Sequence, residues 1–251
     1  MMCTKLRLKK RRIRDILSST NRDLMKRGFT MKKHKKRRDV ELPYISDASV
    51  LAEQFKSKLL LRSFNRSIPF NVPKEYLLFK LLGIKHGKSI YIEPPFRCDY
   101  GKHIEIGNNF YANSGCIIID VAKVKIGDNV QFGPNVAIIT AGHPIHHEIR
   151  NTRYEYGISI TIGSNVWIGA NAVLLPGVHI GDNTVIGAGS IVTKDIPSGV
   201  VAVGNPCKPI KHITDEDKQL YYKDRRFDEE TWAEIQKILN KQNVLLKVDH
   251  Q

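Results

Sequence analysis

Side chains that can move protons or bind a metal ion gather in residues 142–148, GHPIHHE. This segment holds three imidazoles, those of His143, His146 and His147. Because unperturbed imidazole titrates near pH ~6.5, such a side chain can take a proton from a hydroxyl group under neutral conditions. Neutral imidazole is also a preferred ligand of zinc. The segment is therefore a candidate for general-base catalysis or for metal binding.

A repeat of six residues surrounds this segment and must position it. Small or β-branched residues stand four positions after most of the repeated apolar residues, and glycine directly follows several of them. The repeated apolar residues are Ile106, Ala112, Ile126, Phe132, Ile138, Ile162, Ile168, Leu174, Ile180, Ile186 and Val192.

A period of six is neither that of an amphipathic helix, about 3.6, nor that of a strand, about 2. It is typical of a solenoid in which each hexad forms one short strand and one corner, so that three hexads close a triangular coil. Gly and Asn suit the corners because they tolerate positive φ. The repeat is interrupted between Thr140 and Ile160. A polar loop that leaves a rigid solenoid is a typical place for a functional site.

Helical patterns precede the repeat. Ser46 or Asp47 can cap a first helix, and Pro73 and Gly83 can begin and end a second one. The apolar positions of the first helix are Leu51, Phe55, Leu59 and Leu60. After the repeat, Thr214 or Asp228 can cap a terminal helix. Its candidate apolar contacts are Phe227, Trp232, Ile235, Ile238 and Leu239.

Positive charge is concentrated at the N-terminus. Residues 1–38 hold 16 Lys and Arg against 2 Asp and Glu, whereas residues 39–251 hold 24 against 23. Such a density of like charge predicts a disordered tail. The tail is either a solvated extension or a segment that touches nucleic acid or an anionic membrane.

The cysteine pattern indicates a reducing compartment. Cys3, Cys98, Cys116 and Cys207 form no C-x-x-C pair, and a chain of 251 residues does not need disulfides to fold. The sequence shows no apolar run of signal-peptide length and none near the ~20 residues of a membrane span. We therefore expect a cytoplasmic protein.

Three runs of residues resemble the bacterial sugar O-acetyltransferases, namely the maltose, galactoside and nodulation-factor acetyltransferases. They are FYANSGCIIIDVAKVKIGDNVQFGPNVAIITAGHPIHHE, ITIGSNVWIGANAVLLPGVHIGDNTVIGAGSIVTKDIP and GNPCKPIK, within about residues 44–222. The resemblance implies a mainly β fold, a left-handed parallel β-helix with an N-terminal helical cap and a C-terminal helix. It also implies a homotrimer with active sites between adjacent subunits, and transfer of an acetyl group from acetyl-CoA to a sugar hydroxyl.

The resemblance makes His143, the first histidine of the loop, the catalytic base. It also weakens the zinc interpretation. The gamma-class carbonic anhydrases share this solenoid, but their three histidine ligands come from separate coils. Here His146 and His147 are adjacent in one loop, and the regular repeat after the loop adds only His179. No metal site is therefore predicted.

The resemblance also implies two sets of binding residues. Those expected to contact the acceptor are Asp99, Asn113, Asp120, Ser46 and Asp47. Some relatives use the residue after Asp120, which here is Val121. Those expected to contact acetyl-CoA are Trp167, Ala170, Ala188, Thr193, Lys194, Lys208 and Lys211. The family commonly has Arg at the last two positions, and Lys lacks the bidentate fork of Arg.

The sequence thus divides into a basic tail (1–38), a helical cap (39–84), a β-helix (85–210) with a catalytic loop (141–159), and a C-terminal helical extension (211–251). Two further functional hypotheses stay open. One is acetyl transfer to a non-sugar acceptor such as an antibiotic on the same solenoid. The other is a non-catalytic protein that binds through its basic tail.

Overall fold

The computed structural model describes residues 28–66, 76 and 79–248, and the chain divides into two compact units, Met1–Ile210 and Lys211–Gln251. Cys3, most of the basic tail and the expected start of a helix at Pro73 lie outside the described residues. The first unit contains a solenoid of stacked parallel coils with three faces. The predicted fold class, a parallel β-helix of hexapeptide repeats, is confirmed.

Each face is one sheet of parallel strands, to which Lys208–His212 is added at the end of face 3. Face 1 consists of Arg97–Cys98, Ile117–Ile119, Ala137–Ile139, Val173–Leu174 and Ile191–Val192. Face 2 consists of Lys85–His86, Ile104–Ile106, Val124–Ile126, Ile160–Ile162 and His179–Ile180. Face 3 consists of Ile90–Ile92, Phe110–Ala112, Gln131–Phe132, Trp167–Ile168, Val185–Ile186, Val200–Val203 and Lys208–His212.

The repeated apolar residues fill the axis of the solenoid, as predicted. From Ile162 to Val192 each of them is at most 1% exposed. The register places them directly above one another, for example Ile138 beside Leu174 and Ile162 beside Ile180. Because one coil covers its apolar edges only by stacking on the next, the stack forms one continuous core.

The chain turns at three corners, which we name after the faces that they join. Corner A leads from face 1 to face 2, corner B from face 3 to face 1, and corner C from face 2 to face 3. At corner C, Asn109, Asn129, Asn165 and Asn183 have φ of 54° to 58°. Their side-chain amides form a ladder with N–O distances of 3.0, 3.0 and 2.8 Å. Asn therefore supplies both the left-handed backbone and the bonding between coils.

Two helices form most of the N-terminal cap. Helix α1 spans Gly28–Asp39 and helix α2 spans Ala48–Phe64. The expectation of disorder up to residue 38 is wrong for this last part of the tail, because Arg38 is buried and pairs with Asp39 and Glu53 at 2.7 and 2.9 Å. Folding neutralises the charge at Arg38, which charge counting along the sequence could not show.

Helix α2 turns a different face to the core from the one that its sequence suggested. Its buried residues are Val50, Ser57, Leu61 and Phe64. Leu51, Phe55 and Leu59 are instead 51%, 64% and 52% exposed, and Leu60 is partly buried against the core. Downstream, residues 79–82 are helical, and Gly83 ends that helix with a φ of 78°.

The second unit is not purely helical, contrary to the prediction for residues 211–251. It contains a 3-10 helix, Asp215–Gln219, with Thr214 in a capping box. A hairpin of Leu220–Tyr222 and Arg225–Arg226 follows. The predicted terminal helix is present as Glu229–Val248, and Asp228 accepts a hydrogen bond from the Thr231 amide at its start.

Candidate active site

A small antiparallel sheet positions the loop that leaves corner A. Tyr154–Gly157 pairs on one side with Ala141–Gly142 and on the other with Tyr44–Ile45 of the cap. The loop is thus bonded to both the solenoid and the cap. His143 directly follows the strand Ala141–Gly142, so the backbone before the imidazole is fixed.

A glycine is required at position 142 because the side chain of Tyr156 packs closely against the backbone there, and not because the chain turns. A Cβ atom at this position would lie 2.5 Å from ring and hydroxyl atoms of Tyr156. Gly142 lies in a strand and pairs with Tyr156. The absence of a side chain at position 142 thus allows this strand to pack against an aromatic ring across the strand pair.

The imidazole of His143 lines a cleft of about 330 Å³ with Ile45, Ser46, Arg150, Arg153 and Glu155. His143 is exposed and has no hydrogen-bond partner among the described residues. The Arg150 guanidinium donates to the carbonyl of Ile145 at 2.9 Å and closes the loop behind it. The cleft therefore combines one free imidazole with charged and hydroxyl groups.

The other two imidazoles of the loop are engaged elsewhere. His146 and His147 stack on each other with ring centroids 4.8 Å apart. The Glu148 carboxylate lies 3.9 Å from the His146 imidazole. Neither of these two histidines is among the residues that line the cleft with His143.

Ser46 and Asp47 differ in what they offer. Ser46 lines the cleft, and its hydroxyl donates to Glu155. The Asp47 carboxylate is the N-cap of helix α2 and accepts from the amides of Ser49 and Val50 at 2.9 and 3.1 Å. Of the two expected acceptor contacts in the cap, Ser46 is thus the one that the structure brings to His143.

Asp99 lies at corner A and is half-buried. It accepts a hydrogen bond from Gln54 at 3.3 Å and lines a cavity of about 530 Å³ with Lys58, Arg62 and Arg97. Burial raises the pKa of its carboxyl group, nearby Lys58 lowers it, and nearby Glu155 raises it. Asp99 thus lies at the corner from which the His143 loop leaves two coils further on in the stack.

Asp120 does not reach the surface. Its side chain is 0% exposed, and Oδ1 accepts from the amides of Asp99 and Tyr100 at 2.9 and 2.8 Å. The expectation that Asp120 touches the acceptor directly is therefore not met. The neighbouring Val121 is 3% exposed, packed with Tyr44, Val50 and Tyr100.

The expected binding residues fall at two different corners. Asp99, the His143 loop, Thr193 and Lys194 belong to corner A. Asn113, Ala170 and Ala188 belong to corner B. There the amide of Gly189 donates to the carbonyl of Ala170 at 2.8 Å, so the turn that carries Ala188 is bonded to the turn that carries Ala170. Trp167 lies on face 3 and is 54% exposed. Within one chain, the width of face 1 therefore lies between the His143 loop at corner A and the two alanines at corner B.

The expected acetyl-CoA contacts that follow the last coil strand are accessible to solvent. Thr193, Lys194 and Lys208 are exposed. Lys211 is 53% exposed on its side chain and is paired with Asp217. Asn113 is half-buried, and its Oδ1 accepts from the Ser114 amide at 2.7 Å.

Cleft residues that sequence reasoning missed are Arg150, Arg153 and Glu155. They lie in the loop that interrupts the six-residue repeat, so the repeat could not identify them. The pairing of Tyr44 with Glu155 depends on contact between segments far apart in the sequence.

Among residues 28–66, 76 and 79–248, no group of three or more His, Cys, Asp or Glu is placed to hold a metal ion. In the same residues, no helix has the length and apolar character needed to cross a membrane. Cys98, Cys116 and Cys207 are buried free thiols.

Comparisons with known proteins agree with this architecture. The profile of the family "Bacterial transferase hexapeptide (six repeats)" matches residues 159–194. Galactoside O-acetyltransferase of Escherichia coli (strain K12) is 49% identical over 176 residues, covering 70% of this chain and 87% of that protein. Galactoside O-acetyltransferase of Lactococcus lactis subsp. lactis is 39% identical over 189 residues, covering 75% and 91%.

Solved structures show the same similarity. A galactoside acetyltransferase in complex with coenzyme A superposes with a TM-score of 0.74 at 44% identity, covering 78% of this chain and 98% of that one. A maltose O-acetyltransferase from Clostridium difficile 630 superposes with a TM-score of 0.69 at 45% identity, covering 72% and 98%.

Stacked hexapeptide coils and these relatives define a hexapeptide-repeat acetyltransferase, and the chain belongs to the family of the galactoside and maltose O-acetyltransferases. It is an acetyl-CoA-dependent O-acetyltransferase.

Proposed function

We propose that the protein transfers the acetyl group of acetyl-CoA to a hydroxyl of a sugar or glycan, with His143 as the general base. The observation that carries this proposal is the placement of the loop imidazoles. Of the three, His143 lines the cleft with Ser46, Arg153 and Glu155, whereas His146 and His147 stack on each other. Hydroxyl, carboxylate and guanidinium groups are the kinds of partner that bind sugar hydroxyls.

The reaction balances as a direct transfer. His143 takes the proton of the acceptor hydroxyl while its oxygen attacks the thioester carbonyl. A carbon–oxygen bond forms, the carbon–sulfur bond breaks, and the CoA sulfur leaves with the proton that the His143 imidazolium returns, which restores the neutral base. The intervening oxyanion needs fixed hydrogen-bond donors. Because both substrates are bound together, no covalent enzyme intermediate is needed.

We infer that the working protein is a homotrimer with sites between subunits, the assembly that the family resemblance implies, and the positions of the binding residues support sites between subunits. His143 and Asp99 lie at corner A, whereas Asn113, Ala170 and Ala188 lie at corner B. A face strand of three residues, such as Ile117–Ile119, separates these corners by about 10 Å. Direct transfer needs reacting atoms about 3–3.5 Å apart. If corner A of one subunit packs against corner B of the next, the expected acceptor and acetyl-CoA contacts come together in one site.

Acetyl-CoA fits the residues of corner B. Ala170 and Ala188 leave backbone accessible to the pantetheine amides, and Trp167 offers an exposed ring beside them. Lys208 supplies positive charge for the phosphates, and the contact of Lys211, in the second unit, stays a prediction from the family resemblance. A reducing cytoplasm that contains acetyl-CoA is the compartment that this proposal requires.

The test is CoA release from acetyl-CoA with a panel of mono- and disaccharides, compared with hydroxyl-bearing antibiotics. Release that depends on a sugar supports the proposal. Release with an antibiotic alone assigns the acceptor to the non-sugar class and overturns the sugar assignment.

Deleting residues 1–27 separates this proposal from the hypothesis of binding by the basic tail. The deletion stops before helix α1 because Arg38 is part of the buried structure. We expect the shortened enzyme to keep its turnover. A tail-driven binder would instead lose binding to an anionic polymer together with its salt dependence.

A further inference from the structure

Asp120 differs from the other carboxylates at the corners of the solenoid. Asp128 and Asp182 at corner C accept from the amides of Asn108 and Ser164 at 2.5 and 2.6 Å, where solvent reaches them. Asp120 at corner A makes the same kind of contact but is fully buried. Burying a carboxylate has a cost in free energy, so its place at this corner needs a reason.

The contacts of Asp120 fix the turn that carries Asp99. In the register of face 1, Cys98 lies beside Ile118, so Asp120 stands one coil beyond Asp99 and Tyr100. Its Oδ1 accepts from both of their amides, at 2.9 and 2.8 Å. Two backbone donors held by one oxygen determine the direction in which the Asp99 side chain leaves the corner.

The surroundings of Asp120 tighten this arrangement. The imidazole Nδ1 of His103 lies 2.6 Å from the Asp120 carbonyl oxygen. The guanidinium of Arg38 lies 4.2 Å from the centre of the Tyr100 ring, and the Ser57 hydroxyl donates to the Tyr100 carbonyl at 2.9 Å. Asp120 Oδ2 has no hydrogen-bond partner in the described part of the chain.

We propose that Asp120 is a positioning residue, which holds the Asp99–Tyr100 turn so that the Asp99 carboxylate meets the acceptor. This inference rests on the proposed function, because it takes Asp99 as an acceptor contact. It assigns to Asp120 an indirect role in acceptor affinity and no role in acetyl-CoA binding.

The charge state of Asp120 gives this role a pH dependence. The groups that face it are Asp99, Tyr100, His103 and the Cys98 thiol. Burial, and secondarily the charge of Asp99, raise the pKa of Asp120 to about 7, while the backbone amides oppose that rise. The ionised carboxylate is the stronger acceptor. As pH falls through about 7, the turn is held less firmly, and the KM for the acceptor should rise.

Three variants test the proposal. Asp120→Ala removes both hydrogen bonds, Asp120→Asn keeps an oxygen acceptor without charge, and Asp182→Asn is a matched change at corner C. We expect Asp120→Ala to raise the acceptor KM by ~10-fold, the scale of lost charge-assisted hydrogen bonds, with the KM for acetyl-CoA unchanged. Asp120→Asn should fold and show an acceptor KM that no longer varies between pH 6 and 8, roughly the range spanning the wild-type transition. Asp182→Asn should behave as wild type.

Amide hydrogen exchange at Asp99 and Tyr100 provides a readout that needs no turnover. Faster exchange at these two amides in Asp120→Asn, with no change in Asp182→Asn, supports the proposal. Unchanged exchange overturns it, and so does faster exchange with an unchanged acceptor KM and pH profile. If the wild type acetylates no sugar, the proposed function fails, while the exchange rates still decide whether Asp120 holds the turn.

Discussion

Corner C and corner A of the same solenoid follow opposite rules. At corner C, successive coils repeat one solution: an Asn with positive φ in every coil from Asn109 to Asn183, bonded to the next. At corner A, no two successive coils are alike, since Asp99, the buried Asp120 and the His143 loop follow one another. The stack can tolerate this because the core and corner C already define each coil.

The difference separates stability from chemistry. Repetition lets neighbouring coils bury the same apolar edges, whereas a site needs unlike groups at defined positions. Corner A obtains them from a loop and from the cap, which reaches it through Tyr44 and Arg38. Variants that affect one region and spare the other can therefore test this division.

A large effect on stability is expected where the cap meets corner A. Arg38→Met removes a buried guanidinium that pairs with Glu53 and Asp39. The two carboxylates are 25% and 38% exposed, and both keep Lys102 as a partner, so the loss should be smaller than the ~3–5 kcal/mol of a fully buried pair. We expect the free energy of unfolding, measured by urea denaturation, to fall by about 2–3 kcal/mol. A loss below about 1 kcal/mol would show that the cap docks by apolar contacts alone.

A core substitution tests the solenoid itself. Leu174 is 0% exposed, so Leu174→Ala should lower the free energy of unfolding by about 2–5 kcal/mol. Ile145, in the loop, is 95% exposed. Ile145→Ala should therefore change the free energy of unfolding by less than about 0.5 kcal/mol. Equal losses in the two variants would contradict the division between a stabilising stack and a loop that contributes little to stability.

Gly142→Ala tests the geometry behind the loop. The added methyl group would meet Tyr156 at 2.5 Å, so the strand pair before His143 must shift. We expect kcat to fall by ~10–100-fold, as misplacement of a catalytic group by about 1 Å can do. The double variant Gly142→Ala, Tyr156→Ala should recover most of this loss. Absence of recovery would place the cause outside the Tyr156 contact.

Sequence reasoning succeeded where the molecule repeats. The six-residue period identified the residues of the axis and the corners that use Asn, because stacking imposes the same requirement on each coil. It also located the loop, and the alternative helix caps that it offered include those that the structure uses, Asp47, Thr214 and Asp228.

The same reasoning failed where contacts join distant segments. Three features depend on partners that are distant in the sequence. They are the buried face of helix α2, the ion pairs of Arg38 and the burial of the Asp120 side chain. Asp120 in particular resembles any corner carboxylate in sequence, and only its hydrogen bonds to Asp99 and Tyr100 distinguish it.

The smallest effect is expected at the cofactor end. Lys208→Arg restores a planar fork that can bind phosphate with two hydrogen bonds, so the KM for acetyl-CoA should fall by roughly 2–5-fold. The acceptor KM should not change. A rise in the KM for acetyl-CoA would show that Lys208 does not face a phosphate.

The central claim is that one imidazole of the loop performs the chemistry. The direct measurement is kcat/KM for the preferred sugar in His143→Ala, with His146→Ala and His147→Ala as matched controls from the same loop. We expect His143→Ala to lose at least ~100-fold, the scale of a lost general base, without loss of thermal stability, and the two controls to stay close to wild type. Turnover by His143→Ala equal to that of wild type would contradict the account.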